Sequence, residues 1–364
     1  EAVMSIKFIS SGESHGAELI CILEGLPAGL KVTSNFVNEE LARRQKGYGR
    51  GGRMKIESDK VIFGSGIRFG ETLGSPITLI VENKDWQNWQ EKMSAEGVEV
   101  GEKVTNARPG HADLTGAAKY ARSDVRDILE RSSARETTMR VAAGALCKIF
   151  LRECGIEISG EVLSVGGVSG EEEIKNKIDD AKSKGDTVGG IFEIKIKGAP
   201  AGLGSHIQFD KKLDAKFAMA FMSIQAIKAV EIGDGWENAK KFGSEVHDEI
   251  FIKDKKIFRK TNRAGGIEGG MTNGEEIIIR AAMKPIPTLM KPLQTVDIAT
   301  FQPTTASKER SDTCAIFAAE VVGEAMAALV MADAVTEKFG GDAMCDILQN
   351  LKNYRVRLEE NFCL

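Results

Sequence analysis

Short runs rich in Ile, Val or Phe occur at residues 18–24, 60–67, 76–81, 190–197 and 276–282. β-branched and aromatic residues suit the pleated surface of a sheet, so each run predicts a strand. Four other stretches carry apolar residues at helical spacing. Residues 114–151 predict one or two helices, periodic from Val125 onward. In 213–231 the apolar positions Phe217, Met219, Phe221, Met222, Ile224, Ile227 and Val230 recur too evenly for a surface helix. The stretch 313–339 is dense in Ala, Val, Met and Leu on almost every face, which predicts a buried central helix stopped by Gly340. Residues 343–359 are more amphipathic and read as a closing helix, and the charged stretch 169–186 reads as an exposed helix and loop.

These elements do not alternate as a parallel sheet requires, so the class expected is α+β, with layered sheets and helices. No proline- or serine-rich linker interrupts the 364 residues, which favours one domain over 1–364. Met4 reads as the natural start, with Glu1-Ala2-Val3 an added remnant. No basic region followed by a long apolar run opens the chain, and no stretch reaches the ~18 consecutive apolar residues of a membrane span. The expectation is a cytoplasmic protein with no membrane partner. Six scattered cysteines without a Cys-x-x-Cys pair agree with reduced, mostly buried thiols rather than a disulfide framework or zinc site.

Lys and Arg number 49 against 53 Asp and Glu, a net charge of −4 that argues against a general polyanion binder. Anion chemistry must then be local, and arginines do cluster. Arg43, Arg44, Arg50 and Arg53 flank the glycine run 47–52, Arg108 precedes His111, and Arg131 and Arg135 are spaced to share one helix face. Guanidinium forks offer paired donors and stay charged when desolvated, which suits phosphate and carboxylate. Two of the four histidines, His15 and His111, sit beside glycine, where a turn can present a ring that titrates near neutrality.

Gly47-Tyr48-Gly49-Arg50-Gly51-Gly52 matches G-x-G-x-x-G in letters only. A polar Arg-Arg-Gln-Lys run precedes it and no clear helix follows, so a nicotinamide dehydrogenase is poorly supported. A nucleic-acid module is disfavoured by the charge and the lack of interleaved aromatics. Lys284-Pro285-Ile286-Pro287-Thr288 follows a predicted strand as either a rigid loop or a ligand contact. Asp312 stands where an N-cap would begin the helix predicted from Thr313.

Taken together, and in order, Gly12-Glu13-Ser14-His15-Gly16, Arg108-Pro109-Gly110-His111-Ala112-Asp113, Arg131-Ser132-Ser133-Ala134-Arg135-Glu136-Thr137, Gly265-Gly266-Ile267-Glu268-Gly269-Gly270 and Lys284-Pro285 resemble the chorismate synthase family. The resemblance runs from about Phe8 to Leu329, and the stretch from Tyr48 to Lys55 looks like the bacterial branch. It implies two antiparallel sheets sandwiching a helical layer, assembled as a homotetramer. The implied reaction is a 1,4-elimination that converts 5-enolpyruvylshikimate 3-phosphate to chorismate and phosphate, dependent on reduced FMN.

By the same resemblance His15 serves protonation of the reduced flavin, His111 assists the leaving phosphate, and Asp312 is a carboxylate near the flavin N5. Arg44, Arg50, Arg108 and Arg135 grip the substrate, and Arg44 and Arg50 also match positions assigned to a nicotinamide phosphate. Flavin contacts are expected from Arg131, Ser132, Ser133, Gln225, Ala226, Gly269, Lys284, Pro285, Ile286, Pro287, Thr288 and Arg310, with Ser14 a further polar neighbour. No metal is implied. The bacterial-type motifs favour an external reductant for the flavin, with NADPH an indirect source of electrons. The chain departs from the family in Ser311 where many members carry His, in Gln225 where others carry Asn, and in a shorter 159–186 region.

Overall fold

The computed structural model describes residues 6–51, 58–307 and 311–364; the expected start at Met4 and the candidates Arg53 and Arg310 lie outside them. The first half builds a four-stranded sheet from β1 (Lys7–Ser11), β2 (Glu18–Glu24), β3 (Ile62–Ser65) and β4 (Ile77–Glu82), with α1 (Ser34–Gln45) between β2 and β3. Its order is β1-β2-β4-β3, antiparallel throughout. Alternation decides which face is inside. Leu19, Cys21 and Leu23 on β2 and Ile77, Leu79 and Val81 on β4 are buried.

Three helices follow: α2 (Asp113–Tyr120), α3 (Arg126–Ser132) and α4 (Thr137–Glu153). The second half comprises β5 (Glu157–Val165), α5 (Glu171–Ser183), β6 (Gly190–Lys197), α6 (Leu213–Met222), β7 (Ile227–Ile232) and β8 (Ile277–Met283), then α7 (Ile316–Phe339) and α8 (Met344–Phe362). Its sheet runs β5-β6-β8-β7, again antiparallel. Helices α4 and α7 pack against each other, α4 against the first sheet and α7 against the second, around one continuous core. They cross closely because Gly144 has no side chain; a Cβ there would lie 2.5 Å from that of Ala325. The α+β sandwich expected from sequence is the architecture observed.

The two halves repeat one another. Each has two strands, a helix and two strands in the same sheet order, followed by a central helix, the second half adding α5 between its first two strands. Pro27-Ala28-Gly29-Leu30 in the first half returns as Pro200-Ala201-Gly202-Leu203 in the second. In each, a threonine clamps this turn. Thr72 Oγ1 donates to the Pro27 carbonyl and accepts from the Leu30 N–H, and Thr272 Oγ1 does the same with Pro200 and Leu203. Identical clamps in both halves mark an internal duplication.

The five predicted strands are present, and β1, β5 and β7 join them. The helix expected over 213–231 is corrected to α6, which stops at Met222. Ala226 takes a left-handed φ of 68°, and Ile-Lys-Ala-Val-Glu-Ile then pairs with β8 as strand β7. The stretch 114–151 breaks into three helices, at a left-handed Ala121 and an extended Ser133. The central helix begins at Ile316 with Ala315 before it, so Asp312 is not its N-cap. Nearly every residue of α7 is buried, and Gly340 ends it, as expected. Four cysteines are buried and all six are free. Among the described residues no helix is long and apolar enough to cross a membrane.

Candidate active site

The N-terminal ends of α4 and α7 open onto one cavity of about 570 Å³, lined by Thr137 on one side and Ala315 on the other. Unpaired N–H groups and the aligned peptide dipoles make a helix N-terminus favourable to anions, so two converging ends bias this space toward negative charge. Arg44 and Arg50 reach it from the end of α1 and the glycine loop, and Arg108, His111, Ser14 and His15 from loops. Ser132, Ser133 and Arg135 enter between α3 and α4, Gln225 and Ala226 after α6, and Lys284, Ile286, Pro287 and Thr288 after β8. Asp312 and Ser311 complete the rim, and Leu129, Ala318, Ala319 and Val322 form an apolar wall.

Arg44 is 4% exposed. Its Nε donates to Thr137 at 2.9 Å, its Nη2 to the Ala134 carbonyl at 3.1 Å, and its Nη1 lies 3.5 Å from Asp59. Nη1 is buried without a hydrogen-bond partner among the described residues. Burial pulls the Arg44 guanidinium down to about 9, more than Asp59 raises it, and Arg135 and Arg50 push the same way. An incoming anion would reverse that.

Arg135 donates from Nη1 to both oxygens of the buried Asp59, each at 2.7 Å, and from Nε to Asn83 at 3.0 Å. Arg131 points elsewhere, donating to the carbonyls of Ser10 and Gly12. The two arginines therefore do not share a helix face; the extended Ser133 separates α3 from the turn that carries Arg135. Arg43 likewise leaves the arginine cluster and pairs with Glu40 and Glu324 inside the helical layer.

The segment 108–113 folds on itself. Asp113, 1% exposed, accepts from the Arg108 backbone N–H at 3.0 Å and from Arg108 Nε at 2.8 Å, and it faces Nδ1 of His111. Burial alone would raise the Asp113 carboxyl, but hydrogen bonds from His111 and Arg108 hold it far below the usual range. Arg108 also donates to Thr288 at 3.1 Å, and Lys284 donates to the Gly110 carbonyl at 2.9 Å, so the proline loop is tied to the histidine loop. Burial, and then Lys228, lowers the Lys284 ammonium.

Asp312 pairs with Arg50 at 2.8 Å and accepts from the Gly51 N–H at 2.6 Å. The glycine loop lies flat on the start of α7, where a Cβ on Gly47 would stand 2.7 Å from Phe317. Ser311 donates to the Thr288 carbonyl at 2.8 Å, joining two rim segments. Gln225 donates to Glu136 at 3.2 Å, and its Oε1 is buried with no hydrogen-bond partner among the described residues.

Of the residues singled out from sequence, Arg131, Gly269 and Pro285 do not line the cavity. Gly269 turns the hairpin 267–272, and Pro285 lies against Gly189. Sequence reading passed over Asp59, Asn83, Trp89, Asp113 as the partner of Arg108, and Glu130. A wider cleft of about 1220 Å³ between 91–103 and 112–132 meets the cavity at Ala112 and Ser132. Acidic and basic side chains are mixed along it, without the convergence of guanidinium groups seen in the cavity.

The protein-family model of chorismate synthase matches residues 6–336. A chorismate synthase of Geobacter metallireducens is 53% identical over 96% of this chain and 98% of its own length. One of Thermoanaerobacter pseudethanolicus is 55% identical over 96% and 99%. The chain belongs to the chorismate synthase family. A solved structure titled as that of chorismate synthase superposes with a TM-score of 0.79 at 41% identity, covering 97% of this chain and 98% of that one. The chain is thus an enzyme of a phosphate-lyase family, and its sandwich fold is the family's.

Proposed function

We propose that the cavity binds 5-enolpyruvylshikimate 3-phosphate and converts it to chorismate and phosphate by 1,4-anti elimination, the shikimate-pathway step toward aromatic amino acids. The observation that carries this reading is the convergence of Arg44, Arg50, Arg108 and Arg135 with two carboxylate-paired histidines at two helix N-termini. A small substrate with three anionic groups needs several paired donors in a desolvated site, and each charge-assisted hydrogen bond contributes roughly 1.5–3 kcal/mol.

The cavity also suits FMN. Its wall of Leu129, Ala318, Ala319 and Val322 is apolar, and Gln225 Oε1, buried without a hydrogen-bond partner among the described residues, offers a polar edge. Ser132, Ser133, Gln225, Ala226 and Lys284 to Thr288 would hold it. Reduced FMN supplies an electron-rich ring that relieves electron demand as phosphate departs.

The ring C–O bond to phosphate breaks with its electron pair leaving on phosphate, and ring carbon 6 loses a proton. Arginines aimed at the departing oxygens stabilise the charge that accumulates there. His111, oriented through Nδ1 by Asp113, holds a proton for the leaving group. His15 would hold a proton for the reduced flavin, and Asp312, paired with Arg50, would help take up the proton lost from the ring.

NADPH enters only as an indirect source of electrons; the glycine run follows the end of α1 rather than a strand, which supports no dinucleotide turn there. Assembly as a homotetramer is supported by Ile9, Ile22 and Ile62, which stand 69%, 45% and 47% exposed on the outer face of the first sheet. The free, mostly buried cysteines suit the cytoplasm. Anaerobic protein with chemically reduced FMN is expected to release phosphate from the substrate, and protein with oxidised FMN alone is not. Equal phosphate release without flavin would refute the reading.

A further inference from the structure

His15 is gripped from two directions by residues outside every motif noted in the sequence. Glu130, near the end of α3 with a side chain 2% exposed, places both carboxylate oxygens 2.9 Å from Nδ1 of His15. The same group accepts the His15 backbone N–H at 2.9 Å and an N–H of Arg126 at 3.1 Å. Trp89 stacks on the imidazole with ring centroids 4.0 Å apart and planes inclined by 25°. The indole is itself fixed. Its N–H donates to Asp85 at 3.1 Å, and the Arg126 guanidinium lies 4.9 Å over its ring.

Burial alone would raise the Glu130 carboxyl, but hydrogen bonds from the His15 ring and backbone, with Arg126, hold it below the usual range. It is therefore an anion, and an anion at Nδ1 demands a proton there. That leaves the neutral ring with its lone pair on Nε2, the nitrogen without a protein hydrogen bond among the described residues, and it stabilises the imidazolium once Nε2 is protonated. His111 takes its carboxylate from its own loop. His15 takes one from 115 positions away, so the pairing is a product of the tertiary fold.

We infer that Glu130 is the positioning residue of His15, fixing its tautomer and turning Nε2 to the cavity, with Trp89 setting the plane of the ring. This rests on the proposed role of His15 as a proton carrier. A residue that only braced the 13–16 turn would act whether or not the imidazole were present. One that works through the imidazole would not.

The test compares Glu130→Gln, His15→Ala and the Glu130→Gln/His15→Ala double variant in the enzyme with reduced FMN, alongside nitrogen-15 NMR of labelled histidines, the His15 signal being identified by its loss in His15→Ala. Glu130→Gln is expected to lower kcat ~10²-fold, the scale of lost acid–base catalysis, with KM within about threefold. The double variant is expected to match His15→Ala, and the NMR signal to pass from the Nδ1-protonated tautomer to a mixture in Glu130→Gln. Wild-type kcat and tautomer in Glu130→Gln would overturn the inference, as would a double variant about tenfold slower than His15→Ala. A wild-type rate in His15→Ala would overturn the reading of His15 as a proton carrier and the inference with it, whereas a slow His15→Ala beside an unaffected Glu130→Gln would overturn the inference alone.

Discussion

Arg44 and Asp59 show how a buried charge is kept ready for a ligand. Asp59 is engaged mainly by Arg135, which takes both its oxygens at 2.7 Å, and reaches Arg44 only at 3.5 Å. Arg44 is left under-compensated, and a phosphate or carboxylate gains what Asp59 does not provide. Arg44→Ala should weaken equilibrium binding of the substrate by roughly 10- to 150-fold, the equivalent of one charge-assisted hydrogen bond; calorimetry giving unchanged affinity would remove Arg44 from the site. Asp59→Asn leaves a buried guanidinium without its counter-charge and should cost about 3–5 kcal/mol of stability in urea unfolding. The histidines were legible in the sequence because they stand beside glycine, and the arginines because they cluster near glycine or histidine in a chain whose net charge is −4. Asp59 and Glu130 were not, being two among 53 acidic residues whose partners lie far along the chain. Arg126 and Glu130 do show the i,i+4 spacing of a helical ion pair, but that spacing says nothing of a histidine on another loop.

At the level of elements, the central pair α4 and α7 carries both the core and a polar seam. Lys148 on α4 contacts Glu40 of α1 and Glu324 of α7, and Glu320 lies one turn before Glu324. Burial, and then the neighbouring Glu324, raises the Glu320 carboxyl to about 8 from an ordinary 4.5. The native state therefore holds a proton that the unfolded chain releases, and the stability this contributes is complete below about 4.5 and is lost as pH rises toward about 8. Thermal unfolding should show the midpoint falling across that window, and Glu320→Gln should flatten the fall; an unchanged slope would mean that Glu320 is ionised throughout. Gly144→Val, which drives a side chain into Ala325, should cost about 1–3 kcal/mol for the same reason that the helices can cross there. The strands were legible because period-2 runs of Ile and Val have few other uses. The end of α6 was not. Ile224, Ile227 and Val230 continue a helical spacing, but the left-handed Ala226 ends it and the β-branched Ile227, Val230 and Ile232 belong to a strand.

Across the whole molecule, the duplicated halves explain why a cavity lies where it does. The end of β8 and the starts of α4 and α7 meet at the cavity, and Asn83, just after β4, reaches it through Arg135. The repeat escaped sequence reading because its shared residues are a few turn positions rather than long stretches. The layering of the sandwich was legible only through the family resemblance; strand spacing alone gave α+β and no topology. The central claim is that substrate and reduced flavin share the cavity between the two central helix ends. A crystal structure of the complex with FMN and 5-enolpyruvylshikimate 3-phosphate tests it most directly. The substrate phosphate and carboxylates are predicted within hydrogen-bond distance of Arg44, Arg50 and Arg108, with the flavin against Ala318 and Val322. Substrate bound instead in the wide cleft beside residues 91–103, out of reach of those arginines, would contradict it.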